Sequence, residues 1–283
     1  MHTTSSEALK IKLRSSLSLF LTCVCVSCSL LTLIPLLSII FLVSRNGILL
    51  LRPSLFTTLP PAAGLTGGGF GNAVVGTFIM VGIALVISAP IGILAAIYIS
   101  EYDRKSRLSY IARFVAKLLT GIPSIICGVF VFSILVIHIG FSALAGSIAL
   151  AILILPTILL TSEQALLGVP CALREASTGL GATTFQTIWR VVMPEALPAM
   201  TTGLMLATAR AAGETAPVLF TALFNQYWLH SLQHPTASLS VLIYNCSNVP
   251  YAYQVQLAWT ASLVLLVIVT ITSVTAQLLI RKK

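Results

Sequence analysis

In the run Ala209-Arg210-Ala211-Ala212-Gly213-Glu214-Thr215-Ala216-Pro217, an arginine and a glutamate stand four residues apart in an otherwise uncharged stretch. The neighbouring charges are Glu195 on one side and Arg281 on the other. On a helix, an i,i+4 pair shares one face and can bond. A guanidinium is a planar fork that donates two hydrogen bonds at once to an oxyanion. A carboxylate beside it holds that charge when no anion is bound. Transient binding of an oxyanion is therefore one chemistry open to Arg210 and Glu214. The other is a structural ion pair that locks helix packing.

A second constellation is the polar stretch Arg174–Pro198, REASTGLGATTFQTIWRVVMPEALP. Cys171 to Thr178 reads as a short helix with Glu175 exposed, and Gly179 and Gly181 let the backbone turn. Thr183-Thr184 offers a cap for a second short helix. Phe185, Ile188, Trp189 and Val192 fall at i, i+3, i+4 and i+7, one apolar stripe. Such a stripe suits a partner's groove, or it packs on the bilayer surface or on the protein's own helices. Pro194 and Pro198 are expected to close the stretch.

Other chemistries find little support. Gly67-Gly68-Gly69 is not followed by the Lys and Ser/Thr of a phosphate-cradling loop, and no GxxxxGK[ST] occurs. An intramembrane protease needs paired Asp or a buried Ser/His, but Asp103 is the only Asp and His138 falls at a turn. Of six cysteines, Cys23, Cys25, Cys28 and Cys127 lie in apolar runs as small hydrophobes. Cys171 and Cys246 are expected on opposite membrane faces, without a disulfide.

The elements that must position these residues follow from hydropathy. Apolar residues make up 57% of 283 and charged residues 8%, against about 25% charged in soluble domains. Mean hydropathy is +1.02. No charge falls between Arg14 and Arg45, Arg52 and Glu101, Lys117 and Glu163, or Glu214 and Arg281. About 20 apolar residues cross a bilayer as a helix. The expected fold is an all-α polytopic membrane protein with six spans, near 17–43, 72–100, 118–137, 142–160, 199–224 and 255–280. Residues 1–16 and 281–283 would be cytoplasmic tails, with 101–117 a basic loop and 161–198 a cytoplasmic coupling loop. The aromatic-rich segment 225–254 is expected outside, at the membrane interface. Thirteen of the sixteen basic residues then lie on the cytoplasmic side, leaving Arg45 and Arg52 outside and Arg210 within a span. That bias places both termini inside. Arg210 would sit roughly 16 Å into its span, near the midplane, where an ionised group faces the interior or a wet cavity. Arg113 and Lys117 could draw anions to the inner mouth, or be ordinary retained cations. The net charge of +9 comes without a basic run interleaved with aromatics, so no nucleic-acid partner is expected.

Glu175-Ala176-Ser177, Gly181 and Val191-Val192-Met193-Pro194 resemble the EAA loop of ABC importer permeases: Glu-Ala-Ala, three residues, Gly, nine residues, Ile-x-Leu-Pro. Ser177, Val191 and Met193 are mild departures. The run from Ala209 to Pro217 resembles the phosphate importer permeases, A-type subunit. Val75-Gly76-Thr77, Ala96–Tyr102 and Gly121-Ile122-Pro123-Ser124 are similar to that family too. The resemblance implies an ATPase-coupling site at Glu175, Ala176, Gly181, Trp189 and Pro194, and a translocation pathway at Arg210, Glu214 and Thr215. It implies a permease subunit that is not itself an enzyme, holds no metal and binds no cofactor, with ATP and Mg used by a partner ATPase. The implied partners are a second homologous permease, an ATP-binding dimer, an extracytoplasmic phosphate-binding protein and the lipid of a bacterial inner membrane. Sulfate or molybdate is the alternative cargo, and a passive anion channel the alternative class.

Overall fold

A computed structural model describes residues 5–281, and every regular element among them is helical. Helix α1 is Ser5–Gly47, so most of the expected polar tail 1–16 is helical. Residues 1–4, 282 and 283 of the expected tails lie outside the described residues. Helix α2 is Gly71–Ile97 and runs on through a π-helical turn, Tyr98–Tyr102. Helix α3 is Arg107–Gly121, α4 is Ser124–Ile139 and α5 is Ala143–Leu167. Helix α6 is Cys171–Gly179, α7 is Thr184–Gly213 and α8 is Ala216–Thr221. Helix α9 is Leu239–Ser247 and α10 is Ala252–Arg281.

Among the described residues, five helices are long and apolar enough to cross a membrane. They become six if α3 and α4 count as one broken span, bent by 104°. The bend corrects the reading of a third span starting near 118 after a basic loop. Residues 107–121 form their own helix, capped by the Ser106 hydroxyl, which accepts from the Ser109 amide. That helix stops where Pro123 disfavours helical geometry at Ile122; Ile122 is extended, with ψ 132°.

The fifth span also differs. Its helix starts at Thr184 and passes unbroken through Pro194 and Pro198. A proline ring crowds the carbonyl four residues back. The π-helical turn Ile188–Val192 widens the chain just before Pro194 and relieves that crowding. The helix stops at Gly213 rather than near 224. Pro217 would strike the Gly213 carbonyl if the helix continued, so Glu214 turns extended, with ψ 125°, and α8 restarts at Ala216.

The core is built from small residues that let helices approach closely. Met80, Val81 and Ala84 of α2 meet Leu150, Ile154 and Ile158 of α5, and Ala207 and Ala211 of α7 close the cluster. The segment after α8, expected as an external loop, is threaded into this body. The Asn72 side-chain amide donates to the Asn225 carbonyl at 2.9 Å, and the Leu239 amide donates to the Thr77 hydroxyl at 2.9 Å. The first turn of α9 is buried, with Leu239, Val241 and Leu242 fully inside. Of the aromatics placed at an interface, Tyr227, Tyr244 and Tyr251 are exposed. By contrast, α1 between Leu17 and Leu42 packs almost nothing; it joins the body near Gly47, beside Trp259 and Leu263 of α10.

Candidate functional site

The elbow between α5 and α7 is built by turn chemistry. Gly181 has φ +79°, a left-handed conformation that glycine adopts without strain. Thr183 and Gln186 form a reciprocal capping box: the Gln186 amide donates to the Thr183 hydroxyl, and the Thr183 amide to the Gln186 side chain. The Ser177 and Thr187 hydroxyls meet at 2.9 Å and tie α6 to α7. Glu175, Ala176, Gly181, Trp189 and Pro194 are all exposed.

The apolar stripe divides between two surfaces. Ile188 and Val192 are buried in a cluster with Ala96, Ile97, Leu166 and Val169, so half of it packs on the protein's own helices. Phe185 (61% exposed) and Trp189 (43% exposed) point outward as a tilted ring pair with centroids 6.0 Å apart.

Arg174, which the spacing argument passed over, is the most connected side chain of the elbow. Its Nε and Nη2 donate to the two carboxylate oxygens of Glu101 at 3.2 and 2.8 Å. Its Nη1 donates to the Val169 carbonyl at 2.6 Å, and Nη2 also to that of Leu166 at 2.7 Å. The Glu101 hydrogen bond holds the guanidinium proton more tightly than usual, outweighing the opposing effect of burial. A second arginine works beside it. Arg113 of α3 pairs through Nε with Glu163 of α5 and donates to the carbonyls of Ile99 (2.6 Å) and Arg104 (3.0 Å). Arg113 is thus committed to internal partners, whereas Lys117 is exposed. The signal available in the sequence was Glu101 and Glu163 themselves, lone acids at the ends of apolar runs.

Arg210 and Glu214 are brought together. Arg210 Nε lies 3.3 Å from Glu214 Oε1, with the side chains 36% and 17% exposed. Arg210 is in the last turn of α7, where the carbonyl end of the helix favours a cation. Glu214 sits in the break before α8, half-buried like Thr215, and its carbonyl accepts from the Ser240 hydroxyl of α9 at 2.9 Å. A cavity of about 690 Å³ beside α7 is lined by Thr161, Gln164, Thr202 and Gly203 among others. Neither Arg210 nor Glu214 borders it.

Comparison with known proteins matches residues 88–283 to the family of binding-protein-dependent transport system inner membrane components. The phosphate transport system permease protein PstA of Yersinia pestis is 39% identical over 87% of this chain and 83% of its own length. That of Haemophilus influenzae is 40% identical over 87% of each. Among solved structures, a bacterial alginate ABC transporter has a TM-score of 0.62 at 16% identity, covering 95% of this chain and 94% of that one. The MetNI methionine ABC transporter in an inward-facing form has a TM-score of 0.58 at 21% identity, covering 75% and 92%. These two likenesses carry the fold alone. The family match over most of the chain, with relatives at this identity and coverage, means that the chain belongs to the binding-protein-dependent transport system inner membrane components, among the PstA-type permeases.

Proposed function

We propose that this chain is the A-type permease subunit of an ATP-driven importer that carries inorganic phosphate into a bacterial cytoplasm. The observation that carries the reading is the similarity, over 87% of the chain, to proteins named as phosphate transport system permeases, joined to the Arg210–Glu214 pair at the break between α7 and α8. The partners are a second, homologous permease, an ATP-binding dimer and an extracytoplasmic phosphate-binding protein. ATP and Mg are used by the dimer.

The exposed elbow is the handle. Glu175, Ala176, Gly181, Phe185, Trp189 and Pro194 give the motor a surface of rings and polar groups. Helix α7 is continuous from that surface to Arg210, about 40 Å along its axis, so a push at the elbow arrives undivided at the pair. Arg210 offers its fork to a passing phosphate as Glu214 releases it, and Glu214 re-forms the pair afterwards. The Arg210 guanidinium then has an anionic partner both with and without cargo, which limits the cost of an ionised arginine there.

The test is uptake of labelled phosphate into proteoliposomes holding the complete transporter, with sulfate and molybdate as competitors. ATP-dependent uptake that only phosphate inhibits is expected. Equal inhibition by sulfate or molybdate would assign the oxyanion differently, and uptake without ATP would favour a passive channel.

A further inference from the structure

The π-helical turn at the end of α2 is gripped from two sides, and we infer that this grip makes the elbow and the inner ends of α2, α3 and α5 one rigid lever. The inference rests on the importer reading and adds positioning residues to it: Glu101, Arg113, Glu163 and Arg174.

The turn is held open by a bond from the Asp103 amide to the Tyr98 carbonyl, 3.2 Å and five residues back. A single π-helical turn shifts the ladder of backbone bonds by one residue and aims carbonyls differently. Here the Ile99 carbonyl accepts from Arg113 at 2.6 Å, and two residues on the Glu101 carboxylate takes the two-pronged bond from Arg174. Arg174 belongs to the elbow helix α6, and Arg113 belongs to α3 and also holds Glu163 of α5. Beneath the polar grip, Ile99 packs against Ala116 of α3 and Leu159 of α5. Displacing α6 therefore carries α2, α3 and α5 with it.

The lever ends at the candidate pathway. Helix α3 passes through Ile122-Pro123 into α4. Gly128 of α4 lies so close to α8 that an added methyl would stand 2.7 Å from the Pro217 Cα, three residues beyond Glu214. Motor movement thus has a second route to the break, through α3 and α4, besides α7. Only the Arg174–Glu101 bond joins that route to α6 by ionised groups among the described residues.

The test uses the complete transporter carrying Glu101→Gln, which removes the charge from the α2 end and leaves Arg174 its carbonyl partners. Arg174→Lys is the second variant: it keeps a cation for those carbonyls but loses the double grip. Spin labels replace Leu180, at the tip of the elbow, and Tyr110, on the outer face of α3, with the native cysteines substituted. In the parent the distance between labels is expected to stay constant with and without nucleotide. In both variants it should shift or broaden, and phosphate moved per ATP hydrolysed should fall about tenfold, within the range one coupling contact controls. An unchanged distance in the variants, or uptake and hydrolysis falling together at constant ratio, overturns the lever. A parent complex that keeps the constant distance but accumulates no phosphate overturns the cargo assignment alone.

Discussion

Removing the two partners of the Arg113–Glu163 pair one at a time should give unequal losses of stability. The Glu163 side chain is 4% exposed and Arg113 is its one hydrogen-bond partner among the described residues; the Arg113 side chain is 23% exposed and has two carbonyls as well. Arg113→Ala strands a carboxylate that is almost wholly buried, a loss of about 3–5 kcal/mol. Glu163→Gln leaves a guanidinium that keeps two acceptors and some water, so its cost is about 1–2 kcal/mol. Replacing the pair together, Arg113→Met with Glu163→Leu, removes the stranded charge and should recover most of the loss. The assay is thermal unfolding of the detergent-solubilised protein, followed by loss of the monodisperse peak. Arg113→Ala should lower the midpoint by about 8 °C or more, and Glu163→Gln by about half that or less. Equal shifts for the two single variants, or a double variant worse than Arg113→Ala, would refute the burial argument.

Three further outcomes are expected. Trp189→Ala should leave unfolding within about 0.5 kcal/mol of the parent yet abolish co-purification of the ATPase, whereas Ile188→Ala, one residue away but buried, should cost about 2–5 kcal/mol. Gly203→Val drives a branched side chain into Thr161, since a Cβ at 203 would already overlap that hydroxyl; it should cost about 1–3 kcal/mol in unfolding, partly restored by Thr161→Ala. Arg210→Gln should abolish phosphate uptake while the complex still assembles on size exclusion, and normal uptake would remove Arg210 from the pathway.

Much of this architecture can be read from residue order. The gaps between charges locate the apolar helices because a charge inside lipid is costly wherever it falls. The turn at Gly179–Gly181 and the cap at Thr183 are local, so Gly181 and the capping box match the residues that suggested them. Other features were less legible. The break at Gly213 was written as Gly213 and Pro217, but the apolar residues on both sides of it let one span read straight through. Residues 107–117 read as a loop because their charges outweighed the stripe of Leu108, Ile111 and Val115, and α9 is too short to show a span. Arg174 and Arg113 find acids 73 and 50 residues away, and no periodicity encodes such a pairing. Spacing placed the exposed half of the 185–192 stripe as well as the buried half on one face; only packing against Ala96 and Leu166 separates them.

The threading of the segment after α8 sets an order on biosynthesis. Asn72 donates to an acceptor 153 residues later, and Thr77 accepts from an amide 162 residues later. At ribosomal speed the chain needs roughly 8–30 s to span that interval. Throughout it, the N-terminal end of α2 carries a side-chain amide, and a hydroxyl with an open acceptor side, whose distant partners have not yet been made. The α2–α5 body therefore closes from its far end last. A ribosome stalled before Asn225 leaves a permease whose α2 still lacks both of these distant partners, a ready substrate for membrane quality control.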